Sequence, residues 1–187
     1  FVITYMGMLY GLKRDPTLLV EVIEELIGEG QIGPEDIRVR FYGPPDPKLT
    51  ALKESLAHPQ IVELHAPVKR SESIKRQMES AALLIIQWSD PFTSKIYGGK
   101  VFEYLGARRP LIAITNREGV LRELIEETRA GYACSDKAEM KAALTEMLAE
   151  FKRTGSLGFK GIESEIAKYA WEHAAKKLAA ILDEVNS

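Results

Sequence analysis

Two adjacent glycines at the mouth of a helix-like run, Gly98 and Gly99, stand next to Lys100 and one turn ahead of Glu103. Free backbone N–H groups at such a helix start, with the positive end of the helix dipole behind them, hold an anion such as phosphate. Glu103 falls about one turn farther in, ~5 Å along the axis, where a carboxylate can accept both hydroxyls of a ribose whose phosphates rest on the helix start. The pattern thus describes two ends of one nucleotide site, with Tyr97 beside it. It equally describes a tight glycine loop followed by a solvated glutamate, and spacing leaves both readings open.

Other residues of chemical capacity lie at the ends of strand-like runs. Lys13 and Arg14, before Asp15-Pro16, can bring cations to a diphosphate, Arg14 binding two oxygens at once, or can be a solvated loop pair. His65 can flank a base or sugar, or serve as a half-buried structural histidine. Trp88 and Asp90 fall where a cleft would open, although Trp88 suits a core equally. Tyr169 and Trp171 read as residues that bury against the body.

Positioning such residues requires a frame, and the apolar pattern supplies one. Buried, β-rich runs recur at Phe1 to Tyr5, Ile37 to Tyr42, Ile61 to His65, Ala82 to Gln87, Leu111 to Thr115 and Tyr132 to Cys134. Helix-like segments alternate with them: Pro16 to Gly28, Lys48 to Ala57, Ser71 to Ser80, Gly99 to Ala107, Val120 to Thr128, Asp136 to Lys152 and Glu163 to Val185. Asp15, Ser71 and Ser135-Asp136 supply start signals. The alternation predicts an α/β fold, a doubly wound parallel sheet of about six strands with helices on both faces. Ligands of such sheets bind at the carboxyl ends of the strands, where the strand order reverses. The loops Gly7 to Asp15, Gly43 to Pro47, Ala66 to Arg70, Trp88 to Gly99 and Asn116 to Gly119 are the candidates.

Composition narrows the partners. The 187 residues suit one domain, residues 1–187, with 161–187 as its C-terminal helix after a glycine-bearing link. A net charge of −2 without a long basic run argues against nucleic acid. Cys134, alone, excludes an internal disulfide or multi-cysteine zinc site and reads as a core residue in a reducing compartment. His58, His65 and His173 carry no metal-ligand spacing. No run reaches the ~18 apolar residues of a membrane span. Gly7-Met8-Leu9-Tyr10-Gly11 lacks the third glycine and the opening of a dinucleotide fingerprint, and no P-loop sequence is present. A phospho-receiver would need acids at strand ends, where this chain has Gly7 and Ala66-Pro67. The chain opens on Phe1 inside a strand-like run, so residues upstream are expected.

Several motifs together resemble the C-terminal, donor-binding half of GT-B fold glycosyltransferases of the retaining family four group. Lys100-Val101-Phe102-Glu103-Tyr104-Leu105-Gly106-Ala107-Arg108-Arg109-Pro110-Leu111-Ile112-Ala113 is similar to the family's K-[lv]-f-E-Y-L-a-x-x-x-P-i-[il]-a. Tyr169 to Leu178 resembles its y-s-w-e-x-a-a-x-x-l helix. Val62 to Met78, through Pro67-Val68-Lys69-Arg70, and Ala81 to Trp88 match two further segments in the same order.

The resemblance implies a Rossmann-like half of a GT-B fold that binds a nucleotide-diphosphate-sugar as donor substrate, without metal or other cofactor. Glu103 would hold the ribose, and Tyr97, Gly98, Gly99 and Lys100 would lie against the diphosphate and sugar. Gly7 belongs to the first loop, Lys13 and Arg14 would neutralise the leaving diphosphate, and His65 and Ala66 would pack on the base. Two departures stand out: Lys95 replaces the first glutamate of the family's E-x7-E motif, leaving the sugar contact to a neighbour such as Asp90, and Met8 replaces an arginine. The family implies an N-terminal acceptor domain missing from residues 1–187, a fragment inactive alone, and a cytoplasmic protein, with peripheral membrane attachment open. UDP and GDP are the candidate nucleotides. The alternatives are a non-catalytic nucleotide-binding module and half of a GT-B nucleotide-sugar epimerase; a phosphorylase ranks lower.

Overall fold

The computed structural model describes residues 1–88 and 90–185; Ser89, in the candidate loop after Trp88, and Asn186 and Ser187, at the end of the C-terminal segment, lie outside the described residues. Six parallel strands form the sheet among them: β1 (Val2–Met6), β2 (Arg38–Tyr42), β3 (Val62–His65), β4 (Ala82–Ile86), β5 (Leu111–Ile114) and β6 (Gly131–Cys134), in the order β3-β2-β1-β4-β5-β6. The register sets Ile3 beside Val39 on one side and Ala82 on the other, and Leu84 beside Ile112. Ala82 to Ile86 is buried at every position, as a central strand covered on both faces must be.

Alternate side chains of the sheet feed two cores. Ile3, Val39, Leu84 and Ile112 meet helices α1 (Thr17–Gly28), α2 (Pro47–Ser55) and α6 (Lys137–Thr154) through Leu19, Ile23, Leu49, Leu144 and Met147. Leu83, Ile85, Leu111 and Ala113 meet α4 (Lys100–Ala107), α5 (Val120–Thr128) and α7 (Glu163–Ala167) through Val101, Leu105, Leu124 and Ile166. Each fully buried Leu or Ile contributes about 1.5–3 kcal/mol. The sheet edge is more polar than the apolar runs predict. Arg38, Arg40, Glu63 and His65 alternate on β2 and β3, half-buried, and Arg40 Nε lies 2.7 Å from Glu63 Oε2.

Side-chain capping sets the starts of two helices, α2 and α6. Asp136 caps α6 by accepting from the Glu139 N–H at 3.0 Å, as expected. Asp46, ahead of Pro47, caps α2 through Lys48 N–H at 3.0 Å. Ser71 does not cap: α3 (Arg70–Glu79) begins before it, with no side-chain cap. The expected last helix is two helices, α7 and α8 (Trp171–Val185), parted by a turn after Ala167. Ile166 anchors α7 in the core, whereas Trp171 is 83% exposed, contrary to the expectation that it buries. Tyr169, just before the break, does pack, stacking on Phe102. Among the described residues no helix is long and apolar enough to cross a membrane.

Candidate functional site

The strand order reverses between β1 and β4, so the loops leaving these strands run to opposite faces and open a crevice between them. Gly7 ends β1 there with φ +122°, and its N–H donates to the Tyr42 carbonyl at 2.7 Å. A Cβ on Gly7 would stand 2.4 Å from Lys100 Nζ, and one on Gly43 would stand 2.3 Å from the Gly7 carbonyl oxygen. Glycine at both positions lets the ends of β1 and β2 close together beneath the lysine. The same loop holds Tyr10 at φ 55° and Leu12 at φ 60°, left-handed conformations that disfavour non-glycine residues.

Lys100, the first residue of α4, folds back over this loop. Its Nζ rests 5.5 Å from the Tyr5 ring centroid, with no ion pair to a carboxylate among the described residues. Burial lowers its pKa, the Arg14 charge adds to that, and Glu103 opposes it. Behind the lysine, Gly99 occupies the N-cap of α4 with no side-chain cap. Gly99 has φ −53°, and a Cβ on Gly98 or Gly99 would meet nothing within 4 Å. Neither glycine is therefore demanded by crowding, and the helix start faces open space.

Glu103 is exposed one turn into α4, and its Oε1 accepts from Gln77 Nε2 of α3 at 2.5 Å. Its neighbour Tyr104 is fully buried, its hydroxyl accepting the Met6 N–H at 2.9 Å and so tying α4 to the end of β1. Burial drives the Tyr104 pKa far above the ordinary phenol value.

The remaining expected residues fall in different places. Arg14 is half-buried, donates to the Met8 carbonyl at 3.2 Å and lines a cavity of about 270 Å³ with Gln87, Trp88, Thr93, Ile96 and Gly98. Lys13 is exposed on the rim, its Nζ 5.2 Å from the Trp88 ring centroid. Asp90 caps a 3-10 turn (Pro91–Lys95) by accepting from the Phe92 N–H at 2.9 Å, and Lys95 is exposed at the end of that turn. Tyr97 turns to an aromatic cluster, 5.8 Å from Phe102 and 6.0 Å from Tyr169 between centroids. His65 stacks on Tyr42 at 4.5 Å and, with Ala66 and Gly7, lines a second cavity of about 230 Å³. A third, of about 410 Å³, opens between Tyr42, His65, Pro67, Glu72 and Arg76. Glu103 lines none of the three.

Three contributors escape sequence reasoning to different degrees. Asp46, whose Oδ2 also accepts from the Gly11 N–H at 3.0 Å and joins the first two loops, was signalled by Asp-Pro at a helix start. Tyr104 looked like any core aromatic. Gln77 carried no signal, because the apolar Ile74 and Met78 would be read as the inward side chains of α3, and both are exposed. Among the described residues no three His, Cys, Asp or Glu side chains gather as metal ligands.

Comparison with known proteins gives this architecture its relatives. The sequence profile of the family Glycosyl transferases group 1 matches residues 1–150. No curated protein matches the chain significantly. Among solved structures, a glycosyltransferase from Rickettsia africae ESF-5 superposes with a TM-score of 0.68 at 18% identity, over 99% of this chain and 48% of that one. AviGT4, a glycosyltransferase involved in avilamycin A biosynthesis, superposes at 0.60 with 13% identity, over 97% and 48%. A protein described as a UDP-N-acetylglucosamine 2-epimerase from Listeria monocytogenes does so at 0.55 with 13% identity, over 81% and 37%. This chain thus spans about half, or less, of these relatives. Its α/β sheet is the Rossmann-like fold they share, and by the match over residues 1–150 the chain belongs to the glycosyl transferases group 1 family.

Proposed function

We propose that residues 1–187 form the donor-binding half of a glycosyltransferase that moves a sugar from a nucleoside-diphosphate donor to an acceptor, with retention and without metal. The observation that carries this reading is the meeting of an open, uncapped helix start at Gly98-Gly99 with an unpaired Lys100 ammonium over Gly7 at the switch point. Diphosphate would lie on the α4 amides against Lys100 and Arg14, both of which oppose its charge; stabilising the leaving diphosphate electrostatically is their part in catalysis. Glu103 would take the ribose hydroxyls, and the His65-Ala66 end of β3 would border the base. Lys13, out on the rim, serves encounter with an anionic ligand rather than contact. Asp90, with one carboxylate oxygen spent on its turn, keeps the other for the donor sugar.

The acceptor and the residues facing it would come from a further domain, so the chain alone would bind donor without transferring sugar. Isothermal titration with UDP and GDP tests this. Binding of one of them, weakened about tenfold or more by Lys100→Ala through loss of a charge-assisted contact, is expected. A folded protein that takes up neither nucleotide overturns the reading. The epimerase neighbour keeps a second reading in view, since a nucleotide-sugar epimerase would share this donor site; product analysis on the full-length protein separates transfer from epimerisation.

A further inference from the structure

Gln77 is the one fully buried side chain of α3 among the described residues, at 1% exposure, whereas the apolar Ile74 and Met78 of the same helix are exposed. A buried amide there is unexpected, and it is imperfectly satisfied: Nε2 donates to Ser73 Oγ at 3.0 Å and to Glu103 Oε1 at 2.5 Å, while Oε1 has no partner. Its orientation is fixed by chemistry, because an ionised carboxylate only accepts, so the NH2 end must face Glu103. An apolar side chain of similar volume would avoid the unpaired oxygen. The chain therefore keeps a buried amide that does not serve stability best. What the amide does accomplish is to hold one oxygen of an otherwise exposed carboxylate.

The backing is rigid. One turn farther along, Ser80 Oγ donates to Thr4 Oγ1 at 2.6 Å and pins the end of α3 to β1. Tyr104 pins α4 to the end of the same strand through Met6. Gln77 and Glu103 thus sit on two helices fastened to β1, and the hydrogen bond between them fixes the side-chain torsions of the glutamate before any ligand arrives.

The geometry points to Gln77 as a positioning residue: it pre-orients the Glu103 carboxylate so that Oε2 and the remaining lone pair of Oε1 meet the two ribose hydroxyls of a nucleoside diphosphate. This rests on the donor-site reading above. Gln77 touches no nucleotide itself and acts only through Glu103, so its removal should erase preference for an intact ribose and leave the rest of nucleotide binding alone.

The test compares UDP and GDP with their 2′,3′-dideoxy counterparts by isothermal titration against the wild-type chain, Gln77→Met and Gln77→Glu. Wild type should prefer the ribonucleotide by about tenfold or more, the range for hydrogen bonds to a charged group. Gln77→Met should bring this ratio close to one by weakening the ribonucleotide alone, with dideoxynucleotide affinity and melting temperature held. Gln77→Glu should keep the ratio where the buried pair holds one shared proton, whose O–H replaces the amide donor, and lose it as rising pH removes that proton. A Gln77→Met protein that keeps the wild-type ratio, or that loses both affinities equally, overturns the inference. Wild type that binds neither nucleotide refutes the donor-site reading and this inference with it; wild type that binds both forms equally refutes the ribose role of Glu103 and hence that of Gln77, while the diphosphate site stands.

Discussion

The Tyr104 hydroxyl shows how much a single buried atom can control at this site. It meets the Met6 N–H at the last position of β1, next to Gly7 and below Lys100, where the backbone would otherwise bury an unpaired donor. Tyr104→Phe removes the acceptor and leaves the donor buried, so it should destabilise the protein by about 1–3 kcal/mol. Thermal unfolding should register this as a drop of several degrees, at about 2–4 °C per kcal/mol for a chain of this size. Glu103→Ala, one residue away but exposed, should lower the melting temperature less than Tyr104→Phe, because water can enter the space beside the Gln77 amide that it leaves, and should weaken nucleotide binding in titration. The contrast between adjacent residues separates a side chain that holds the frame from one that meets the ligand.

At the scale of elements, the junction of α5 and α6 carries a pH dependence that can be worked out. Glu139 accepts from Arg122 Nη2 at 2.8 Å and from the Ser135 N–H at 2.7 Å, and these bonds, the arginine first, bring its pKa down to about 2. A carboxylate whose folded pKa lies below its unfolded value of 4.5 stabilises the fold above that value and loses the contribution as pH falls towards 2. The Glu139 side chain is 38% exposed, so solvent screening reduces the gain to about 1 kcal/mol. Glu139→Gln should therefore lower the melting temperature at pH 7, and the gap from wild type should narrow between pH 4.5 and 2. A gap that stays constant across that window would show that the ion pair is not its source. The same local logic, a side chain two to four residues from a backbone donor, made the Asp136 start of α6 readable in advance and left Ser71 misread, because α3 begins at Arg70 with Lys69 at its N-cap and Ser71 already inside the helix.

Over the whole molecule, the two cores on opposite faces of one sheet make opening cooperative, and Cys134 reports on it. Burial at the end of β6, with Glu139 nearby, pushes its thiol up to about 12. Alkylation at pH 8 should consequently be slow in the native state and reach the free-thiol rate only on global unfolding in denaturant; fast native labelling would mean that β6 frays independently. Alternation of strands and helices, the apolar runs, the candidate loops at strand ends and the Gly98-Gly99 helix start were legible in the sequence, because each is written in residues within a turn or a strand of one another. The exposure of Trp171 was not, since an amphipathic repeat records an apolar face but not whether anything covers it. Nor were the three meetings that build the site: Lys100 over Gly7, Met6 on Tyr104 across 98 residues and Gln77 on Glu103 across 26. Those depend on placing β4 beside β1 and laying α3 against α4, a choice made by the burial of whole strands and helices, so only the tertiary structure decided which polar side chains would face each other.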